Sequence, residues 1–411
     1  MNNIKSFDLV ELVGDGASII KLVNSILLFC FLVLLIVGSV NPVTSLMLLA
    51  TFILLPKIKY RSLTSVDMVW FLALVFYGVY HSVHAYLIEM GFHSGVEKYM
   101  KFIAGGFYYL MIRQYGIYKY TLFLGVSIGG FLSSLESLYN LVYLDHSGRL
   151  GLGHNPIAFG TIMCIYSAVM MYYSQVFVGY KRYIVLAFAI IFVSVSFYSG
   201  TRNLYIVYIG LIVYFIYLYS GSFSSGSRKL IFTAHFILFM MLVIFAFFNS
   251  DTVEKRIEIT KAEVLMIKHG DLSSSFGQRL QMWDSGLYLF IKSPIFGYGE
   301  NRVVLNDALS EYVEDKGYME NIMLRYSHFH NSFIDQAAKF GVIGVLLLLF
   351  VFFAAVSGLS RQNKASLVFV MLGIYLIGSI TNVPFSQNRT MITFIILISV
   401  GRYYALHPSK S

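Results

Sequence analysis

The chain has 411 residues, of which 57% are hydrophobic and only 12% are charged, and its mean hydropathy is +0.71. This composition excludes a soluble globular domain and indicates an integral membrane protein. The formal net charge is +9, but the placement of the charges along the chain is more informative than their sum. The two cysteines, Cys30 and Cys164, both lie within apolar runs, which argues against a structural disulfide and against a cysteine metal site.

Apolar runs of about 17 to 25 residues are typical of transmembrane helices. We predict twelve of them, and we interpret the first as a permanent span rather than a cleaved signal. The predicted spans are residues 19–38, 42–55, 66–88, 99–113, 118–142, 155–178, 183–199, 203–220, 229–249, 333–357, 365–381 and 390–406. The predicted fold is therefore an all-α integral membrane protein, with residues 1–411 forming a single polytopic membrane domain.

The basic residues test this count, because loops on the cytoplasmic side of a membrane carry an excess of Lys and Arg. With a cytoplasmic N-terminus, every predicted inner loop holds at least two basic residues and almost no acidic ones. These residues are Lys57, Lys59, Arg61, Arg113, Lys119, Lys181, Arg182, Arg228, Lys229, Arg361 and Lys364, and the C-terminal end adds Arg402 and Lys410. One missed span would destroy the alternation, so we predict twelve spans with both termini in the cytoplasm.

One long polar segment, residues 250–331, separates the ninth and tenth predicted spans and should lie on the outer side. Residues 251–331 hold twelve of the 21 acidic residues and nine basic ones, a mixture that suits an aqueous surface better than a patch for nucleic acid. The spacing of apolar residues predicts helices over 252–268 and 278–292, of which the second is amphipathic. Ser293-Pro294 and the glycines that follow it should end this second helix.

Polar side chains accumulate where this loop returns to apolar sequence. His330 and Asn331 begin the tenth predicted span, and Asp335 follows just over one helical turn later. Histidine is the side chain best matched to proton transfer near neutral pH, and an ionisable group at the lip of a bundle is a functional candidate. His330 is therefore the candidate base and His328 competes with it. The alternative is that His330 and Asn331 only cap the helix.

Three arginines on the outer side are candidate anion ligands. Arg202 follows a Gly-containing turn at the start of span eight, Arg279 opens the second loop helix, and Arg389 precedes the last span. A guanidinium can bind phosphate through two parallel hydrogen bonds, and a helix N-terminus favours the same anion. Trp283 follows Arg279 by one turn and would offer a platform for a sugar ring. In each case the alternative is a side chain that anchors the helix at the membrane interface.

Two further histidines, His81 and His84, lie in span three at helical spacing, but no carboxylate or cysteine accompanies them. We therefore predict buried, hydrogen-bonded histidines rather than a metal pair. The sequence holds no P-loop, dinucleotide-binding fingerprint or zinc-protease motif.

The order of these motifs resembles the O-antigen ligases of the Gram-negative inner membrane. Those enzymes share a superfamily with the O-antigen polymerases and the protein O-oligosaccharyltransferases. The residues that carry the resemblance are GQRLQMW at 277–283, FIKSPIFGYG at 290–299, HNSFID at 330–335 and KFGVIG at 339–344, together with Thr201-Arg202.

The resemblance implies an enzyme that transfers O-antigen polysaccharide from undecaprenyl diphosphate to a sugar hydroxyl of lipid A-core, on the periplasmic side of the bilayer. It implies inversion of the anomeric centre without a metal ion or another cofactor. His330 matches the family's histidine, the general base, while Arg202 and Arg279 match its two arginines for the diphosphate. Arg389 falls where further basic residues occur in the family. His328, Asn331, Asp335 and Trp283 are supporting candidates.

Three alternatives remain at this point. An O-antigen polymerase would use the same donor with a second lipid-linked glycan as acceptor, but polymerases commonly show two substantial outer loops. A protein O-oligosaccharyltransferase would use a Ser or Thr of another protein as acceptor. A transporter or flippase also suits twelve spans, but intramembrane charges are sparse and no broken spans recur in matched halves.

Overall fold

The protein is all-helical over the residues that its computed structural model describes. These residues are 16–39, 41–54, 56, 58, 63–89, 94–144, 149–201, 203–220, 251–318, 325–359 and 366–406. No strand occurs within these ranges, so the all-α prediction is confirmed for them.

Fourteen helices make up the described part of the chain. In chain order they are α1 (Gly16–Val37), α2 (Asn41–Leu54), α3 (Ser65–Glu89), α4 (Ser94–Tyr115), α5 (Thr121–Val142), α6 (Pro156–Val176), α7 (Tyr180–Phe197), α8 (Asn203–Ser220), α9 (Asp251–Lys268), α10 (Ser275–Lys292), α11 (Arg302–Asp315), α12 (Ser332–Val356), α13 (Ser366–Thr381) and α14 (Asn388–Leu406). Eleven of the twelve predicted spans each coincide with one of these helices, and the ninth, at 229–249, lies outside the described residues.

Seven of the described helices are long and apolar enough to cross a membrane, which makes this a multi-pass membrane protein. They cover Ala17–Val37, Ser65–Ile88, Thr121–Val142, Pro156–Val176, Tyr180–Phe197, Ser332–Val356 and Asn388–Leu406. Three further apolar helices, at Asn41–Leu54, Leu204–Tyr214 and Leu367–Thr381, are shorter. α4 does not qualify because Glu97, Lys98, Lys101 and Arg113 lower its hydropathy. The predicted count of twelve spans is therefore not confirmed.

α6 and α14 form the centre of the bundle, and each is 83% buried along its apolar segment. α6 begins cleanly because the Asn155 side chain accepts the Ile157 N–H at 2.9 Å and Pro156 occupies its first turn. α7 packs along α6 but is only 28% buried, so most of its surface faces outward. Other close pairs are α3 with α4, α1 with α5, α12 with α3, and α10 with α12.

Buried charges gather at the end of the bundle that the sequence predicts to be cytoplasmic. Arg113 Nε of α4 lies 3.0 Å from Asp67 Oδ2 of α3. Arg402, counted above with the inner end of the chain, lies within α14 and is fully buried. Its guanidinium donates to the Ala354 and Ala355 carbonyls at 2.7 and 2.8 Å, which satisfies the free carbonyls at the end of α12.

The long loop contains three described helices rather than the two that were predicted. α9 and α10 correspond to the predicted helices, whereas α11 was missed. Asn301 caps α11 by accepting the Val303 N–H at 2.9 Å. Its buried face of Leu305, Leu309 and Val313 packs in a small second core with Met282, Leu289, Phe329 and Ala338. This core holds the loop helices against the segment that leads into α12.

Candidate active site

A break in α12 organises the site. Gly341 has φ 65° and interrupts the helix, and residues 293–299 pack against the break. Both sides of this contact need glycine. A Cβ on Gly297 would lie 2.3 Å from the Lys339 carbonyl carbon, and one on Gly341 would lie 2.1 Å from the Ile295 oxygen. The two backbones therefore meet where no side chain fits.

Backbone hydrogen bonds join the two segments at the break. Tyr298 N–H donates to Ala338 O at 3.0 Å, Gly299 N–H to Lys339 O at 2.8 Å and Val342 N–H to Pro294 O at 2.8 Å. They supply partners for groups that the break removes from the regular helix ladder.

α3 contacts the break from the opposite side. Tyr80 OH donates to Phe340 O at 2.9 Å, His84 Nε2 donates to Phe296 O at 2.7 Å, and His81 Nε2 lies 2.6 Å from Gln336 Oε1. The prediction that His81 and His84 are hydrogen-bonded residues of the helix is confirmed.

Glu300 ties the same loop to α4. Lys98 Nζ lies 2.7 Å from Glu300 Oε1, and Tyr99 OH donates to that oxygen at 2.8 Å. Burial raises the pKa of the Glu300 carboxyl, but the charges of Lys98 and Lys339 outweigh it and lower the pKa to about 2. Glu300 is therefore ionised and anchors the loop. Neither Glu300 nor Lys98 was singled out from the sequence.

Asn331 is the N-cap of α12. Its side-chain oxygen accepts the N–H groups of Phe333 and Ile334 at 2.9 and 3.2 Å, and its amide donates to Ile380 O at 3.0 Å. Asn331 thus caps the helix, as the alternative interpretation held for it, and the same side chain also ties the entrance of α12 to α13. His330 takes no part in this cap.

An ion pair on α12 holds the histidine segment, residues 326–331. Asp335 Oδ1 lies 2.9 Å from Lys339 Nζ, and the two side chains are 2% and 1% exposed. Asp335 Oδ1 also accepts the Phe329 N–H at 3.1 Å, and Lys339 Nζ donates to Ser327 O at 2.9 Å. The backbone on both sides of His328 is thus bonded to α12. A pair of opposite charges four residues apart in an apolar span was the sequence signal for Lys339, and it was overlooked.

The two histidines stand together, with ring centroids 4.4 Å apart. His330 has φ 53°, a left-handed conformation that is uncommon for a residue with a Cβ. Its Nδ1 is buried and has no hydrogen-bond partner among the residues that the structure describes, whereas His328 Nδ1 lies 3.1 Å from Ser327 Oγ. The Nδ1 atom of His330 therefore forms no hydrogen bond with any described protein group.

Burial keeps both imidazoles neutral. It lowers the pKa of His328 to about 3, helped by the charges of Lys339, Lys98 and Arg302. It lowers the pKa of His330 to about 3 as well, helped by His328 and by Arg279. A neutral imidazole is the form that accepts a proton.

The charge of Arg279, in the first turn of α10, is among the causes that lower the pKa of His330. Next to Arg279 in the chain, Gln278 Oε1 accepts the Tyr326 hydroxyl at 2.5 Å, which fixes the start of α10 to the histidine segment. Trp283 lies one turn further along α10 and is partly buried. Its indole Nε1 has no partner within the described ranges.

The other two predicted arginines are placed differently. Arg389 donates to Gly38 O at 2.9 Å and to Leu35 O, so it caps the C-terminal end of α1. Its charge also lowers the pKa of His154, for which burial is the larger cause. Arg202 lies outside the described residues.

Arg149, which was not among the predicted anion ligands, contacts the described turn that precedes Arg202. Arg149 Nε donates to Ser199 O at 2.9 Å, and its Nη2 donates to Thr201 Oγ1 at 3.3 Å. The loop between α5 and α6 is thereby joined to the turn before α8.

Comparison with known proteins finds a family model whose match covers His328 and His330, and two similar proteins. A family model described as O-antigen ligase matches residues 186–349. The chain is 32% identical over 107 residues to an O-antigen ligase of Escherichia coli (strain K12), which covers 26% of this chain and 25% of that protein. It is 22% identical over 282 residues to an uncharacterized protein of Haemophilus influenzae, which covers 64% of this chain and 67% of that protein.

Proposed function

We propose a function from the premise that these matches assign the chain to the O-antigen ligase family, as its motifs predicted. The family supports a transferase that acts on a lipid-linked glycan in a membrane. Our proposal is that the chain is the ligase itself, which moves O-antigen polysaccharide from undecaprenyl diphosphate to a sugar hydroxyl of lipid A-core. The product is complete lipopolysaccharide.

The single observation that carries the proposal is the His330 Nδ1 atom, buried, neutral and unoccupied by any described protein group beside Arg279. In the proposed reaction the acceptor hydroxyl gives its proton to His330 while its oxygen forms a bond to C1 of the donor sugar. The bond from C1 to the diphosphate oxygen breaks, and the departing oxygen keeps the electron pair. Attack opposite the leaving group inverts the anomeric centre.

Arginine stabilises the charge that develops on the leaving diphosphate. We assign this role to Arg279, whose charge acts on His330. Arg202 and Arg389 remain proposed ligands of the same diphosphate. The donor also prepares the base, because an anion that binds next to His330 favours the imidazolium form and raises its pKa from about 3.

The site would then face the periplasm from the inner membrane of a Gram-negative cell, with both termini in the cytoplasm. The basic inner loops support this orientation. Residues 250–331 would form the periplasmic loop of one polytopic domain, and the partners would be the bilayer, the lipid-linked donor and the lipid A-core acceptor.

The experiment that tests the proposal is a gel of lipopolysaccharide from a deletion strain, with lipid-linked O-antigen analysed in parallel. A ligase predicts that all long-chain bands vanish while polymerised, lipid-linked O-antigen accumulates. Lipopolysaccharide with a single repeat unit would identify a polymerase instead. Unchanged lipopolysaccharide with loss of a glycosylated protein would identify a protein O-oligosaccharyltransferase.

A further inference from the structure

We propose that Asp335 and Lys339 are positioning residues, and that their ion pair holds His328 and His330 in the geometry that the reaction needs. The inference rests on the proposed function, because it concerns the base of that reaction. Lys339 has no role in that proposed reaction and would not touch either substrate.

The hydrogen bonds of the pair straddle one histidine. Lys339 Nζ donates to Ser327 O at 2.9 Å, immediately before His328, and Asp335 accepts the Phe329 N–H at 3.1 Å, immediately after it. Both bonds involve a charged partner in a site with almost no solvent access, where such bonds are strong. The histidine segment therefore cannot shift along α12 without breaking one of them.

The backbone that carries Lys339 is itself held in place. The Lys339 carbonyl accepts the Gly299 N–H at 2.8 Å, and Lys339 lies two residues before the break at Gly341. If the contact between residues 293–299 and α12 changed, the Lys339 side chain would move and the histidine segment would move with it. The left-handed backbone of His330, at φ 53°, is the kind of strain that persists only when its surroundings hold it.

Stability alone gives a weak account of the pair. Removing two charges from water is costly, and apolar side chains of similar volume often replace a buried ion pair without loss of stability. What apolar side chains cannot do is bond the Ser327 carbonyl and the Phe329 N–H. The geometry therefore points to placement of the histidines as the task of this pair.

The charge of Lys339 has a second effect. The groups that act on His328 are Lys339, Lys98 and Arg302, and those that act on His330 are His328, Arg279 and Asp335. Loss of the Lys339 charge should raise the pKa of His328 directly.

The test measures glycan transfer by the purified full-length protein in nanodiscs, with lipid-linked donor and lipid A-core as substrates. We expect Lys339→Met to lower kcat about 100-fold with little change in KM for the donor, because a displacement of a catalytic group by ~1 Å costs about that much. Lys339→Arg keeps the charge and the donors, and it should recover most of the lost kcat. The matched control is Arg113→Met. This substitution also removes the charged partner of a buried carboxylate, that of Asp67, but between α3 and α4 and away from the histidines.

If Lys339→Met does not fold, the double variant Asp335→Asn/Lys339→Met removes both charges and leaves no unpaired ion. It should also show the loss of kcat. A double variant with wild-type kcat, or a loss as large in Arg113→Met, would overturn the proposal and leave a structural role.

Amide hydrogen exchange is measured on the wild-type protein, so its result does not depend on whether a variant folds. The Phe329 amide should exchange as slowly as amides inside α12, and rapid exchange would contradict the proposal. Failure of the proposed function looks different, because the wild-type protein would then transfer no glycan while Phe329 could still be protected.

Discussion

His330 owes its position to backbone bonds as much as to its own side chain. Ser327, Phe329 and Asn331, on either side of it, form hydrogen bonds with α12. The Nδ1 atom of its own ring has no hydrogen-bond partner among the described residues. His328 has the same bonded backbone but a ring that already contacts Ser327. The sequence predicted the pair of histidines and their place at the helix entrance. It could not predict which ring nitrogen lacks a hydrogen-bond partner, because that depends on the local backbone conformation, such as the φ of 53° at His330.

The first prediction concerns the base. His330→Ala should reduce transfer about 10²- to 10⁴-fold, the usual loss when a general base is removed, and lipid-linked donor should accumulate in the cell. His328→Ala should be milder. Lipopolysaccharide gels read the outcome, with membrane levels of each variant compared by immunoblot. If the severities are reversed, His328 is the base. If neither variant matters, Asp335 is the next residue to change.

The second prediction concerns the diphosphate. Arg279→Lys should impair transfer severely, because a point charge cannot reproduce the two parallel hydrogen bonds of a guanidinium. Arg202→Lys should do the same if both bind one leaving group. Near-normal transfer by both variants would leave only an anchoring role for these arginines. Transfer should also persist in EDTA, and a strict requirement for Mg²⁺ would contradict the arginine account.

At the scale of single elements, the sequence predicted most helices well and one break not at all. Helix ends followed from local signals such as Ser293-Pro294, which ends α10 at Lys292. The break in α12 lies two residues after Lys339 in a helix without proline, where Gly341 alone gave no reason to expect it. The reason is tertiary, since residues 293–299 supply the hydrogen bonds that the break removes.

The third prediction tests that break. Gly341→Ala adds a Cβ at a positive φ, which costs about 1–2 kcal/mol, and also forces that Cβ against the Ile295 carbonyl at 2.1 Å. Because the added Cβ meets a backbone atom that cannot rotate away, we expect the free energy of unfolding to fall by more than this conformational cost. Thermal unfolding in detergent measures it. Gly373→Ala in α13 is the control, since nothing lies within 4 Å of its Cβ position, and equal effects of the two substitutions would contradict this account.

At the scale of the whole molecule, the sequence could rank candidate residues but could not bring them together. Arg279 and His330 lie in different helical segments, and only the packing of α10 against the entrance of α12 joins them. The roles of Lys98 and Glu300 were invisible for the same reason, because their ion pair joins α4 to a loop some 200 residues later. Periodicity identifies which faces are buried, and it carries no information about which buried faces meet.

The fourth prediction is acid sensitivity of the fold. The pKa of both site histidines is lowered to about 3, so the unfolded chain, with an ordinary value near 6.5, binds their protons first. Stability from these groups is therefore complete above about pH 6.5 and is lost as the pH falls from there towards about 3. Thermal unfolding across this range should show the decline. A variant with both histidines replaced by Gln should decline less, and an identical decline would place the effect elsewhere.

The fifth prediction concerns orientation. A reporter enzyme fused at Glu311, within the long loop, should be active only in the periplasm, because the basic loops predict a cytoplasmic N-terminus. A cytoplasmic reporter at this position would end the topology proposed here.

The burial of α14 has a consequence for how the protein is made. This helix follows the other thirteen described helices in the chain, yet it lies at their centre and is 83% buried. The elements synthesised before it must therefore leave its place unfilled, with the carbonyls that end α12 lacking the Arg402 guanidinium until α14 arrives. Assembly in the membrane then has a late closing step, and a chain cut short before residue 388 would lack one of the two helices at the centre of the bundle.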